Sequence, residues 1–214
     1  MPKAYIRRFL KARALDRGQY VSLWKRLGRP SPEEWTGYLI RHGGFQSIGQ
    51  HCWINPAAIF TDPYLTSIGN NVRIAGGWFG GHDGSINMLN RAFGTKFDSV
   101  APLRIGDNVF VGVGCHVLPG AVIGNNSIVG AGSVVTGHLK GDAVYAGVPA
   151  RKIRSMQDHL AFLQQRTDSY PWQYLIETRV GGFDSTMEPE LKRQRVRYFF
   201  GGKSISGGEL QEAS

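Results

Sequence analysis

The chain has 214 residues, a net charge of +9 and only two cysteines, with 42% hydrophobic and 19% charged residues. Its 29 glycines are about twice the ~7% average, yet no three-residue glycine period appears, which excludes collagen and leaves a folded chain with one main core. Cys52 and Cys115 cannot build a disulfide framework and no C-x-x-C pair suggests structural zinc, so a reducing, cytoplasmic setting is expected.

The first predicted element is a helical cap over residues 1–45. Ile6, Phe9, Leu10 and Leu15 fall near one helical face, and SPEEWTGYLI carries a helix start in Ser31, Pro32 and Glu34. The stretch lacks the apolar run of a signal peptide, and no ~18-residue apolar segment suggests a membrane span. Residues 1–41 hold ten Lys/Arg against three Asp/Glu, whereas residues 42–150 balance at five against five. The basic excess is therefore N-terminal. A cap on the open edge of the array that follows is the first reading; peripheral contact of a basic helix with an anionic membrane surface is the second. No basic–aromatic run matches a nucleic-acid module, so no nucleic-acid partner is expected.

A six-residue period dominates residues 46–153. From Ile105 an aliphatic residue returns at Val111, Val117, Ile123, Val129 and Val135. Four positions after each stands Val109, Cys115, Ala121, Ser127, Ser133 or Leu139, mostly small or slim. An earlier run begins IGQHCW INPAAI at Ile48, slips by two residues at TDPYLTS, and resumes as IGNNVR IAGGWF. Six suits neither a helix nor a long strand. It suits short strands joined by turns, three hexads making one 18-residue coil and coils stacking at the ~4.8 Å spacing of paired strands. Gly and Asn at the corners (IGDN, IGNN) supply left-handed backbone.

The period breaks in one loop, residues 80–102, which opens with His82 between Gly81 and Asp83. Long loops inside regular arrays are commonly binding elements. After Ile153 the chain reads as a helical extension and tail over 154–214: a helix at MQDHLAFLQQR, a second at EPELKRQRVRYFF with Ser185 and Thr186 as caps, and a mobile end at GGKSISGGELQEAS. No glycine-rich phosphate loop is present, because the glycines follow the coil period.

VLPG, IVGAGSVVT and the closing AGVPARKI make the segment from IGDNVF onward resemble the hexapeptide-repeat acyltransferases, most of all the sugar and polysaccharide O-acetyltransferases of the maltose/galactoside type. The resemblance covers about residues 46–153. It implies an all-β core with helical additions, wound as a left-handed parallel β-helix. That handedness comes from the resemblance and not from the period, since crossovers between parallel strands are ordinarily right-handed. It further implies a homotrimer, acetyl-CoA as acyl donor, and a sugar or polysaccharide precursor as acceptor.

In the resembled enzymes a catalytic histidine opens such a loop, two hexads after an IG-N-V coil, and IGNNVRIAGG stands before His82 in that arrangement. A neutral imidazole suits the task of taking a hydroxyl proton as a thioester is attacked and returning it to the thiolate. Asp62 and Asn55, one coil earlier, match positions lining the acceptor pocket, where they would orient the imidazole or hold sugar hydroxyls. Both also suit ordinary tight turns. Asp83 would orient His82 or solvate the loop, and Arg91 and Lys96 are candidate contacts to an anionic substrate. Turn amides near Gly112 and Gly114 are candidate oxyanion donors.

For the donor, Arg151 matches the basic position at the nucleotide end of coenzyme A, with Lys152 and Arg154 adding charge. Ala131 and Ser133 match positions along the pantetheine, and Phe110 stands where relatives often carry Trp. Relatives commonly have Lys after VVT, but here the residue is Gly137. Cys115 reads as a buried, inert spacer. No metal is expected: the neighbour that would join His116 in a three-histidine zinc site is Ala121. Two competitors stand beside O-acetylation. One is N-acylation of an amino-sugar nucleotide; the other is a non-catalytic β-helix scaffold that binds an acidic partner or membrane.

Overall fold

A computed structural model describes residues 3–201; all but the first residue of the expected mobile end, GGKSISGGELQEAS, lies outside them. The described chain divides into two compact units at His159/Leu160. No described helix is long and apolar enough to cross a membrane.

The first unit opens with α1 (Lys3–Arg17), α2 (Val21–Leu23) running into a π-helical turn (Trp24–Gly28), and α3 (Pro32–His42). Ser31 begins α3 as the sequence indicates. Its hydroxyl accepts the Glu34 N–H, the Glu34 carboxylate accepts the Ser31 N–H, and Pro32 fills the first turn. Trp24 is buried against Trp35 and Tyr38.

The hexads then wind through successive coils. The first holds β1 (Ser47–Ile48), β2 (Trp53–Ile54) and β3 (Ala58–Phe60); the second holds β4 (Thr66–Ile68), β5 (Arg73–Ile74) and β6 (Gly77–Phe79). After α4 (Ile86–Phe93) come β7 (Leu103–Ile105), β8 (Val109–Val111) and β9 (Cys115–Val117), then β10 (Val122–Ile123), β11 (Ser127–Val129) and β12 (Val134–Val135). The last turn is β13 (His138–Leu139), β14 (Ala143–Ala146) and β15 (Arg151–Ser155). Equivalent strands form three sheets, β1-β4-β7-β10-β13, β2-β5-β8-β11-β14-β15 and β3-β6-β9-β12. Every pairing is parallel except β14–β15, which closes one sheet with an antiparallel strand.

The aliphatic positions at both phases of the period, Ile105 to Val135 and Val109 to Leu139, are all buried. Ile105 pairs with Ile123, Val111 with Val129 and Val117 with Val135, but Leu139 departs from its expected phase: it pairs with Ile123 and so continues the first series and not the second. The coils are not uniform in length. Corner contacts link residues 20 apart in the first coil, 37 apart across the loop, 18 apart in the next and 16 apart in the last. The first two differences fall at the slip and the loop, whereas the last follows Val135, where the chain returns two residues early and the sequence period gives no sign of it.

One corner is a side-chain ladder. The Asn71 amide donates to Asn108, Asn108 to Asn126 and Asn126 to Asp142, at 2.8–2.9 Å. All four residues have positive φ, a conformation Asn and Asp tolerate better than other side chains. The repeat's asparagines therefore set the turn and join the coils.

The N-terminal helices meet the first coil at its edge. The Thr36 hydroxyl accepts the buried Ile54 N–H at 2.8 Å while donating to Pro32 O at 2.7 Å. Trp53 Nε1 donates to Glu33, and Lys25 Nζ to Pro56 O. A strand edge that would face water unpaired is thus bonded to α3.

The helical extension starts with α5 (Met156–Asp168) and continues with α6 (Gln173–Thr178) and α7 (Glu188–Phe200). In the second unit Tyr170 stacks on Trp172 at 4.5 Å, and Tyr198 and Phe199 pack edgewise or tilted against them. The caps expected for α7 are corrected. Thr186 gives both its N–H and its hydroxyl to Asp184, and neither Ser185 nor Thr186 caps the helix.

Candidate active site

Asp62 owes its place to the two-residue slip in the repeat. There Pro63–Leu65 form a 3₁₀ turn whose first carbonyl, that of Asp62, accepts the Leu65 N–H and the Thr66 hydroxyl. Proline at the turn's start fixes its φ, and the Asp62 side chain is held against β6 as that strand ends. Gly80 and Gly81 follow β6, both buried. A Cβ on Gly81 would stand 2.6 Å from that of Asp62, so only glycine permits this approach.

His82 is the next residue. Its Nδ1 lies 2.6 Å from Asp62 Oδ2. The same oxygen accepts the Thr61 hydroxyl at 2.6 Å and the Gly81 N–H at 3.1 Å, and the Gly81 N–H also reaches Thr61 Oγ1 at 3.3 Å. A carboxylate only accepts, so Nδ1 is the nitrogen that carries a proton toward Asp62, and in the neutral ring the lone pair is on Nε2. The Asp62 side chain is 12% exposed and that of His82 47%. Burial pushes the Asp62 carboxyl up, but the hydrogen bonds from Thr61 and His82, the His82 charge and the Gly81 amide outweigh it. The net effect is a pKa below the ordinary aspartate value.

The loop leaves and returns beside His82. Ala101 N–H donates to Gly81 O, Asp83 N–H donates to Ser99 O, and His82 bridges Val100 in antiparallel fashion. Inside this neck the loop is not irregular throughout: it contains α4. Asn90 on that helix ties down the returning limb, accepting Thr95 Oγ1 and Phe97 N and donating to Phe97 O. Thr61 and Asn90 both escape the sequence reading. The signal for Thr61 is its place beside Asp62; Asn90 has none, because its partners lie across the loop.

Among the described residues, none of the other acceptor-side candidates hydrogen-bonds to His82. Asp83 Oδ1 accepts the Ser85 N–H, and that turn holds its carboxyl below the ordinary value. Asn55 Oδ1 accepts the Ala57 N–H in a similar turn. Arg91 is exposed on α4.

On the donor side, Phe110 is exposed on β8, and Gly114 and Ala131 are exposed at turns. Ser133 stands at the small interior phase of its hexad. It is fully buried, and its hydroxyl donates to Gly130 O and accepts the Gly147 N–H, so the side chain lies in the coil interior. The Gly112 N–H is likewise spent on Val129 O and cannot serve an oxyanion. Arg151 and Lys152 are exposed on β15 and line a recess with Thr136, Gly137, His138 and Tyr145. Cys115 is buried with its Sγ toward Gly130 O, and burial raises its thiol pKa. Among the described residues no group of three His, Cys, Asp or Glu is placed to hold a metal ion.

The family model described as bacterial transferase hexapeptide (six repeats) matches residues 102–137, which are strands β7 to β12 and their turns. The galactoside O-acetyltransferase of Escherichia coli (strain K12) is 31% identical over 166 residues, covering 65% of this chain and 79% of that protein. Protein CapG of Staphylococcus aureus is 36% identical over 133 residues, 60% of this chain and 76% of that protein. Among solved structures, a maltose O-acetyltransferase from Clostridium difficile 630 aligns with a TM-score of 0.45 and 25% identity, over 57% of this chain and 75% of that one. With its hexads wound into stacked coils and a relative matched over 79% of its length, the chain belongs to the hexapeptide-repeat transferase family.

Proposed function

We propose that the chain is an acetyltransferase that moves acetyl from acetyl-CoA to a hydroxyl of a sugar or polysaccharide precursor. The observation that carries this reading is the 2.6 Å contact between His82 Nδ1 and Asp62 Oδ2 at the root of the long loop. It leaves Nε2 as the basic atom and sets a carboxylate behind the ring. The galactoside O-acetyltransferase relative supports acetyl as the group and a sugar as the acceptor.

Transfer is direct. His82 Nε2 takes the acceptor's hydroxyl proton as the oxygen attacks the thioester carbonyl. The tetrahedral intermediate expels the thiolate of coenzyme A, which takes that proton back from Nε2. Asp62 stabilises the imidazolium in between, and Thr61 and the Gly81 amide hold Asp62 in place. With Gly112 N–H committed, Gly114 is the turn amide left of that pair for the developing oxyanion. Asn55, Asp83 and Arg91 are assigned to the acceptor side.

Coenzyme A would be held by Arg151 and Lys152 at its nucleotide end, where cations suit phosphate. Phe110, Gly112, Ala131 and the backbone at Ser133 would follow the pantetheine. A homotrimer with left-handed coils, in the reducing cytoplasm that its two free thiols suit, completes this reading.

The test is incubation with acetyl-CoA and a panel of sugars, oligosaccharides and amino-sugar nucleotides, with mass analysis of the products. An ester on a sugar hydroxyl is expected. An amide on an amino-sugar would replace O- by N-acylation. No thiol release together with no coenzyme A binding would favour the scaffold.

A further inference from the structure

The N-terminal helices carry more than the contact with the coil explains. Leu10 and Ala14 of α1 are buried, but the apolar stripe continues outward: Ile6, Phe9, Tyr20 and Leu27 are 38–58% exposed. The Phe9 and Tyr20 rings lie 6.3 Å apart, and Arg13 sits over Phe9. Ile6 and Leu27, from α1 and the π-helical turn, line one shallow groove together with Arg7, Arg26 and Arg29. Among the described residues no carboxylate stands within ion-pair distance of these three arginines. Asp16 is the only acidic residue in the first 32 positions.

We infer that this face docks on an anionic lipid bilayer, with Ile6, Phe9 and Leu27 entering the acyl boundary and Arg7, Arg26 and Arg29 meeting lipid phosphates. Two features select this occupant. A second copy packed isologously would bring the same uncompensated arginines together. An acidic polymer would engage the arginines but leave the aliphatic and aromatic rim in water. Apolar side chains ringed by Arg match the interfacial pattern, in which long cationic side chains snorkel to the headgroups. α3 faces the coil through Thr36 and Glu33, so the α1 face stays available while the cap holds. The inference does not depend on the reaction assigned to His82.

The test is flotation of the full chain with vesicles of phosphatidylcholine alone or containing phosphatidylglycerol, with thermal unfolding of each variant as a folding control. Binding only to the anionic vesicles is expected. Arg26→Gln with Arg29→Gln should weaken it about 25-fold, at roughly fivefold per cation near an anionic surface. Ile6→Ser with Leu27→Ser should weaken it at unchanged charge and unchanged unfolding temperature. Absence of binding to anionic vesicles would overturn the proposal. So would full binding by the Ile6/Leu27 variant, which would reduce the face to general anion attraction. Loss of self-association in that variant, without any vesicle binding, would assign the face to a second copy instead.

Discussion

Three donors, the Thr61 hydroxyl, the Gly81 amide and the His82 ring, converge on the single atom Asp62 Oδ2. Asp62→Asn keeps an oxygen acceptor and removes the charge behind the imidazolium. It should lower kcat by about 10–100-fold with little change in KM. Thr61→Val removes one positioning bond and should cost less than about tenfold. Steady-state kinetics, normalised to the folded fraction found by thermal unfolding, reads both. The carboxyl also links stability to pH. Its folded pKa is lowered, so its contribution is present above the ordinary aspartate value of ~3.9 and is lost as pH falls through the folded one. The thermal unfolding temperature of wild type should exceed that of Asp62→Asn near neutrality, with the gap closing below about pH 4. A constant gap would contradict the assignment of the charge.

Among the elements, the junction of α3 with β2 rests on the Thr36 hydroxyl, which pairs the buried Ile54 N–H. Thr36→Val conserves shape and strands that donor, so it should cost about 1–3 kcal/mol, read from urea unfolding. This junction was only half legible in sequence. Ser31, Pro32 and Glu34 announce the helix, but the contact between Thr36 and Ile54 spans 18 residues and has no local signature. The hexads were legible because burial enforces them: Ile105 to Val135 all point inward. α4 was not legible, because INMLNRAF lies between glycines and Ser85 makes no side-chain cap bond to its start. β15 was hidden for another reason. PARKIRS leaves the period and pairs antiparallel, which only the exposed edge of β14 explains. Asn55 and Asp83 show the limit for single residues, since the oxygen that suits an acceptor pocket equally closes a turn.

For the whole molecule, the proposed reading puts the nucleotide end of coenzyme A in the recess by Arg151. Gly137 lines that recess, and a Cβ there would meet nothing within 4 Å. Gly137→Lys should therefore be tolerated and should tighten coenzyme A binding several-fold, while Arg151→Ala should weaken it about tenfold, as expected for one charge-assisted contact. Isothermal titration reads both, and insensitivity to both would place coenzyme A elsewhere. In the proposed reaction His82 is the base that moves the proton. Thiol release from acetyl-CoA in the presence of an accepted sugar, compared between wild type and His82→Ala, tests it most directly. A fall of at least ~100-fold with coenzyme A affinity intact is predicted; equal turnover in the two proteins would contradict it.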